Sequence, residues 1–388
     1  MKVADVSGFY SPAGGGVRTY VDQKFEAARR LGHDLTVIAP GATNRVDSRP
    51  GGRVVWVEGP PMPFDPAYRR FPRPAAVWRI LDALAPDMVE GSSPWRSGVI
   101  AGRWPGRAAR AFVFHQDFVA GYPQTLLDGF LAPEAVDRLF APYWARLRRL
   151  SLAFDVTVAS GAWLAQRLAG FGVHRPVAVP FGVEAGRFSP ALRDPVLRAE
   201  VLARCATPST GRLLLSVGRL HPEKRQRVII DGFVRARARG GEPIGLAIVG
   251  DGPDRAGIEA LARRAGAIWL AGAIKDRDQL ARLFASADLL LHGSSAETYG
   301  LVVAEAMASG LPVVAPSAGG AGELARRGPA RLYPAGDPEA LAEAILHMLR
   351  TAQARSAAPI PTAEEHFERL FDLYQDLLDA RASMGQAA

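Results

Sequence analysis

Residues Asp288 to Ala315 read D-L-L-L-H-G-S-S-A-E-T-Y-G-L-V-V-A-E-A-M-A-S-G-L-P-V-V-A. The opening run, Asp288–His292, is short, apolar and followed by turn residues, the pattern of a strand buried on both faces. Gly293–Ala296 reads as a loop. Gly300 opens a helix predicted to run to about Ser309, where Gly310 closes it, and Leu311–Ala315 is the next buried strand. Strand, helix and strand in this order make a crossover unit, which implies a parallel sheet.

The same alternation extends outward in both directions. Arg212–Val217 reads as a strand, Gln226–Arg239 as a helix, and Gly245–Val249 and Ile268–Leu270 as further strands. In the first half, Lys2–Val6, Leu35–Ala39, Val54–Val57, Met88–Glu90, Ala111–His115, Val156–Ala159 and Pro176–Val179 are strand candidates, with an amphipathic helix at Val17–Leu31. Between the halves, Pro180, Gly182, Gly186, Pro190, Pro195 and Pro208 punctuate a linker. The expected architecture is α/β: two doubly wound Rossmann-like domains, 1–182 and 183–360, facing each other across a cleft. A C-terminal helix in 361–388 is expected to return toward the first domain.

Composition narrows the class. The chain has 388 residues, 48% of them apolar, enough for two sizeable cores. Its single cysteine, Cys205, cannot form an internal disulfide, which suits a reducing, cytoplasmic location. The N-terminus lacks the long apolar stretch of a signal peptide, and no run approaches the ~18 apolar residues of a membrane span. Net charge is +8, and it is uneven: residues 1–182 hold 22 basic and 15 acidic residues, the remainder 25 and 24. No nucleic-acid recognition motif accompanies that excess. Arg138–Phe154, R-L-F-A-P-Y-W-A-R-L-R-R-L-S-L-A-F, interleaves Arg146, Arg148 and Arg149 with Trp144, Leu147 and Leu150, in a helix expected to begin after Pro142. Such a mixture suits peripheral docking on the inner face of the cytoplasmic membrane, as well as an ordinary solvated helix.

Four stretches carry the candidate chemistry. Glu297 precedes the helix that Gly300 opens, where a carboxylate can accept from sugar hydroxyls, and free helical N–H groups suit a diphosphate. Glu305 stands about one and a half turns further on, within reach of a ribose hydroxyl pair. Ser216–Lys224, S-V-G-R-L-H-P-E-K, ends a strand with Gly218 and two cations, Arg219 and Lys224, able to neutralise a leaving diphosphate. Ser11–Tyr20 holds a glycine cluster, Gly14–Gly16, without the dinucleotide fingerprint. Phe112–Asp117, F-V-F-H-Q-D, places His115 and Asp117 at a strand end, where either could hydrogen-bond a sugar. No His, Cys and carboxylate set has metal-ligand spacing. Asp276-x-Asp278 has the letters of a metal motif but opens a helix.

These motifs resemble glycosyltransferase family 4, retaining enzymes of GT-B fold, over nearly the whole chain. The similarity lies in G-G-G-V-R-T-Y-V, L-G-H-D-L-T-V-I-A-P, V-P-F-G-V-E-A-G-R-F-S-P at 179–190, V-G-R-L-H-P-E-K, I-V-G-D-G-P at 248–253, and the block from Glu297 to Ala315. The resemblance implies that Arg219 and Lys224 hold the diphosphate, Glu297 contacts the transferred sugar, and Glu305 binds ribose. It implies that Gly218, Tyr299, Gly300 and Leu301 line the donor site, that Gly15 and Gly16 approach phosphate or acceptor, and that His115 faces the sugar. Ile274 lies in the loop expected to select the donor base. Tyr299 replaces the family's usual Phe, Phe181 its Asn and Glu184 its Asp, so no role is carried over from the loop at 180–184.

The implied function is transfer of a hexose (mannose, glucose or related) from a GDP- or UDP-linked donor to a lipid-linked or saccharide acceptor, in glycolipid or polysaccharide synthesis. The implied mechanism is front-face substitution with neither metal nor other cofactor, the nucleotide sugar being a co-substrate. A GT-B-like epimerase and a non-catalytic nucleotide-sugar-binding protein are the alternatives. Donor hydrolysis without acceptor separates enzyme from binder.

Overall fold

The computed structural model describes residues 1–12, 16–63, 68–351 and 357–386. The chain forms two compact units. The first comprises Met1–His115, Phe140–Pro180 and Ala363–Ala388, and the second Gln116–Leu139 and Phe181–Thr362.

In the first unit the strands are β1 (Lys2–Val6), β2 (Asp34–Gly41), β3 (Arg45–Arg49), β4 (Gly52–Glu58), β5 (Met88–Gly91), β6 (Ala109–Phe114), β7 (Val156–Ala159) and β8 (Pro176–Ala178). Their order is β3-β4-β2-β1-β5-β6-β7-β8. The order reverses direction beside β1, as in doubly wound sheets. All pairings are parallel except β3 with β4, where Arg45 faces Trp56 and Arg49 faces Gly52. That antiparallel edge was not foreseen, because β3 is mostly exposed and offers no apolar run to read.

The core of this unit includes Val3, Leu35, Val37, Val54, Met88, Ala111, Val113 and Val156 from the strands. The closing helix, Ala363–Gln386, adds Phe367, Leu370, Phe371, Tyr374 and Leu377 at helical spacing. Helix Ala141–Ser151 begins before Pro142, not after it, because proline in a first turn has no N–H that the helix would use. Its Trp144 and Leu147 are buried, with Trp144 stacked on Phe171 at 3.8 Å, while Arg146, Arg148 and Arg149 are exposed.

In the second unit the strands are β9 (Arg212–Val217), β10 (Ile244–Val249), β11 (Ile268–Gly272), β12 (Leu289–Leu291), β13 (Val313–Pro316) and β14 (Ala330–Tyr333), ordered β11-β10-β9-β12-β13-β14 and parallel throughout. Leu213, Leu215, Leu290 and Val313 enter one apolar cluster, and Leu214, Leu289, Leu291 and Val314 the other. With both faces covered, no polar alternation is possible, hence the continuous apolar runs.

Segment 116–139, placed by the sequence in the first domain, groups with the second unit. Asp128 Oδ2 pairs with Arg225 Nη2 at 3.0 Å, and the Tyr122 ring meets His221 edge-on at 6.2 Å. Among the described residues, no helix is long and apolar enough to cross a membrane.

Candidate active site

In the second unit, the carboxyl ends of β9 and β12 bring the two strongest motifs together. After β9, Gly218 donates its N–H to Val249 O at 3.0 Å, and the chain turns through a short 3₁₀ turn, Pro222–Lys224. After β12 comes Gly293, where a Cβ would meet the Lys224 carbonyl oxygen at 2.6 Å. Glycine there lets the two loops touch. Lys224 Nζ consequently lies 2.5 Å from Glu297 Oε1 and 3.5 Å from Glu223 Oε1.

Both members of the Lys224–Glu297 pair are charged. Burial disfavours the ammonium, but the Glu297 and Glu223 carboxylates outweigh it and hold Lys224 above the usual lysine range. Burial likewise works against the Glu297 carboxylate, but Lys224 and His292 outweigh it, and its pKa falls below the usual glutamate value. His292 itself is pushed down to about 4, chiefly by burial, so it is neutral near pH 7. Its Nε2 has no hydrogen-bond partner among the described residues. Arg219 is exposed, and among the described residues its guanidinium has no ion-pair partner.

Helix Leu301–Ala308 starts beside this pair. Its N-cap, Gly300, has φ 92°, and a Cβ there would meet Ala321 Cα at 2.8 Å. Only glycine enters the helix this way without strain. The first N–H groups of the helix, from Leu301 on, have no partners within it. Leu301 is largely exposed, whereas the Tyr299 ring is buried against Phe181 at 5.8 Å. Glu305 is buried in the second turn, where Arg277 Nη2 reaches its Oε1 at 2.8 Å. Ile274 is half-buried against the core cluster. Asp276 caps helix Arg277–Ser286 by accepting from the Asp278 and Gln279 N–H groups, which is the use the structure makes of the D-x-D letters. Among the described residues, no group of three or more His, Cys, Asp or Glu side chains could hold a metal ion.

The first unit holds the remaining candidates. His115 follows β6, its ring 4.8 Å from Tyr20, and burial pushes its pKa down to about 4. It is a neutral hydrogen-bonding group at pH 7. Gly16 begins helix Gly16–Leu31, and Gly15 lies outside the described residues. Asp117, in the second unit, is not available to a sugar through Oδ1, which accepts from the Val119 and Ala120 N–H groups at 2.9 and 3.0 Å. It serves as a helix cap, as short acidic side chains do after a strand.

Three residues beside the site escaped the sequence reading: His292, Arg277 and Glu184. Each had a signal. His292 ends a buried strand one loop before Glu297, Arg277 opens the helix after the base-selecting loop, and Glu184 was noticed only as a departure from the family.

Comparison with known proteins adds identity to this geometry. The model of glycosyltransferase family 4 matches residues 14–187, and that of glycosyl transferases group 1 matches 211–351. A GDP-mannose-dependent alpha-mannosyltransferase of Mycobacterium tuberculosis is 33% identical over 368 residues, 92% of this chain and 90% of the relative. A GDP-mannose-dependent alpha-(1-6)-phosphatidylinositol dimannoside mannosyltransferase of the same species is 33% identical over 320 residues, 81% of this chain and 79% of that one. Among solved structures, sucrose-phosphate synthase from Thermosynechococcus elongatus aligns over 100% of both chains with TM-score 0.72 at 21% identity, a likeness of fold.

Proposed function

The chain belongs to glycosyltransferase family 4 and is a retaining hexosyltransferase of GT-B fold using a nucleotide-diphosphate sugar, and from that premise we propose that it transfers mannose from GDP-mannose without a metal ion. The observation that carries the reading is the Lys224–Glu297 pair together with Arg219, exposed and without an ion-pair partner among the described residues, and the helix start at Gly300. Two cations and a helix N-terminus neutralise a diphosphate; a carboxylate next to them takes sugar hydroxyls. The donor base and sugar follow the names of the relatives.

In the proposed step, the bond between the anomeric carbon and the β-phosphate oxygen breaks, and its electron pair goes to the phosphate. The acceptor oxygen bonds to the same face of that carbon, and its proton passes to the departing phosphate. Arg219 and Lys224 stabilise the charge that develops there. No protein base is needed, which agrees with the weak basicity of His115, its pKa pushed down to about 4 by burial; its part would be to hydrogen-bond the sugar. Tyr299, Gly300 and Leu301 offer backbone groups to sugar and phosphate, and Glu305 takes the ribose.

The acceptor we propose is lipid-linked, reached by peripheral docking. The support is the exposed Arg146, Arg148 and Arg149, with Trp95 partly exposed and its ring 5.8 Å from the Arg146 guanidinium. Co-sedimentation with anionic vesicles should weaken with salt; protein remaining in the supernatant at low salt overturns the docking. The donor is tested by measuring hydrolysis and transfer with a panel of GDP- and UDP-hexoses. GDP-mannose should be turned over fastest, and turnover of UDP-sugars alone would refute the donor assignment.

A further inference from the structure

Glu305, the proposed ribose ligand, is held from one side. Arg277 Nη2 donates to its Oε1 at 2.8 Å, and the glutamate side chain is 9% exposed against 43% for the arginine. Arg277 is itself fixed by two other contacts. Its Nε lies 3.7 Å from Glu184 Oε2, and its guanidinium is centred 5.3 Å from the Phe188 ring. Glu184 pairs with Arg187 at 2.5 Å, and Arg187 pairs with Asp278. Alternating charges thus connect residues 184–187, the first turn of helix Arg277–Ser286 and the second turn of helix Leu301–Ala308.

An isolated surface ion pair would mean little. This one differs in that its carboxylate is buried within an apolar helix run, and its guanidinium is oriented by partners on a third element. We infer that Arg277 is a positioning residue for the nucleotide: it occupies Oε1 of Glu305 and presents Oε2 to the ribose hydroxyls. The inference rests on the ribose role of Glu305 given above. An ionised carboxylate has about four acceptor sites, so one guanidinium contact leaves room for a vicinal hydroxyl pair.

The arginine also opposes protonation of that carboxylate, whose pKa stands above the usual glutamate value. Burial pushes the Glu305 carboxyl up, Arg277 pulls it down, and Glu184 adds a smaller upward push. Among the described residues, these two are the charged groups that act on it. Without Arg277, burial and Glu184 act together, and Glu305 takes up a proton at higher pH. A protonated carboxyl accepts poorly from two hydroxyls, so nucleotide affinity should then fall as pH falls.

The test is calorimetric titration of the full-length chain with GDP, UDP run in parallel, from pH 5.5 to 8. Wild type, R277A, R277K and E305Q are compared. R277A should lose about tenfold in affinity for each pH unit below the raised Glu305 pKa, while wild type varies less. R277K, which restores a cation but not the fork, should recover part of the loss. R277A binding as tightly as wild type at every pH, or more tightly, overturns the positioning role even if E305Q is weakened. E305Q binding like wild type overturns the ribose assignment and the inference together.

Discussion

Two lysine–glutamate pairs, one in each unit, share a bond length and differ in access. Lys24 Nζ lies 2.5 Å from Glu90 Oε2, and Lys224 Nζ lies 2.5 Å from Glu297 Oε1. Both lysines are held above their usual pKa, against burial, by neighbouring carboxylates. Yet the Lys24 side chain is 0% exposed and that of Lys224 20%. Lys24 also contacts Asp5 at 3.1 Å, and Asp5 in turn accepts from Ser92 at 2.6 Å. That cluster fastens helix Gly16–Leu31 to β1 and β5, with its side chains sealed from solvent. Lys224 sits on a turn after a strand's carboxyl end, where the proposed function has it exchange one carboxylate for a phosphate. The carboxylates differ as well: burial pushes Glu90 up to about 7, whereas Glu297 falls below the usual glutamate value, so the sealed pair serves the fold and, on the proposed function, the open pair serves the ligand.

The comparison breaks most visibly by removing each lysine. Lys24→Met leaves Asp5 and Glu90 buried without their cation and should cost about 3–5 kcal/mol of stability, read by denaturant unfolding. Lys224→Met should cost clearly less than Lys24→Met, because the Glu297 side chain keeps 22% of its surface exposed and can be hydrated once its cation is lost. Equal losses would erase the distinction. A smaller effect sharpens it within the second unit. Glu305→Ala should weaken GDP binding, whereas Glu297→Ala should spare it and damage transfer, since the proposed function has Glu305 contact the ribose and Glu297 the sugar. Equal loss of GDP affinity in both would contradict the division of roles.

The second unit was the more legible of the two. Its strands are covered on both faces, so they appear as unbroken apolar runs; Gly293 and Gly300 mark turns where backbone must approach backbone, and Gly310, at φ 64°, marks a left-handed turn. Arg219, Lys224 and Glu297 stand at strand ends, where the reading could place them. The sealed cluster was not legible. Lys24 lies within a helix whose polar residues read as solvated, and its partners at positions 5 and 90 are brought to it only by the sheet. Arg277 was missed for the same reason, since Glu305 and Glu184 are remote in sequence. Segment 116–139 has no long apolar run to assign it, and its place depends on single contacts such as Asp128 with Arg225.

The most direct measurement is mannosyl transfer from GDP-mannose in excess EDTA, comparing wild type with Arg219→Ala and Lys224→Ala. Wild type should work undiminished, and each variant should turn over roughly 100-fold or more slowly while remaining folded, as when another preorganised charge-stabilising group is lost. Activity that disappears on chelation and returns with Mn²⁺ or Mg²⁺, or variants that keep near wild-type rates, would contradict the account.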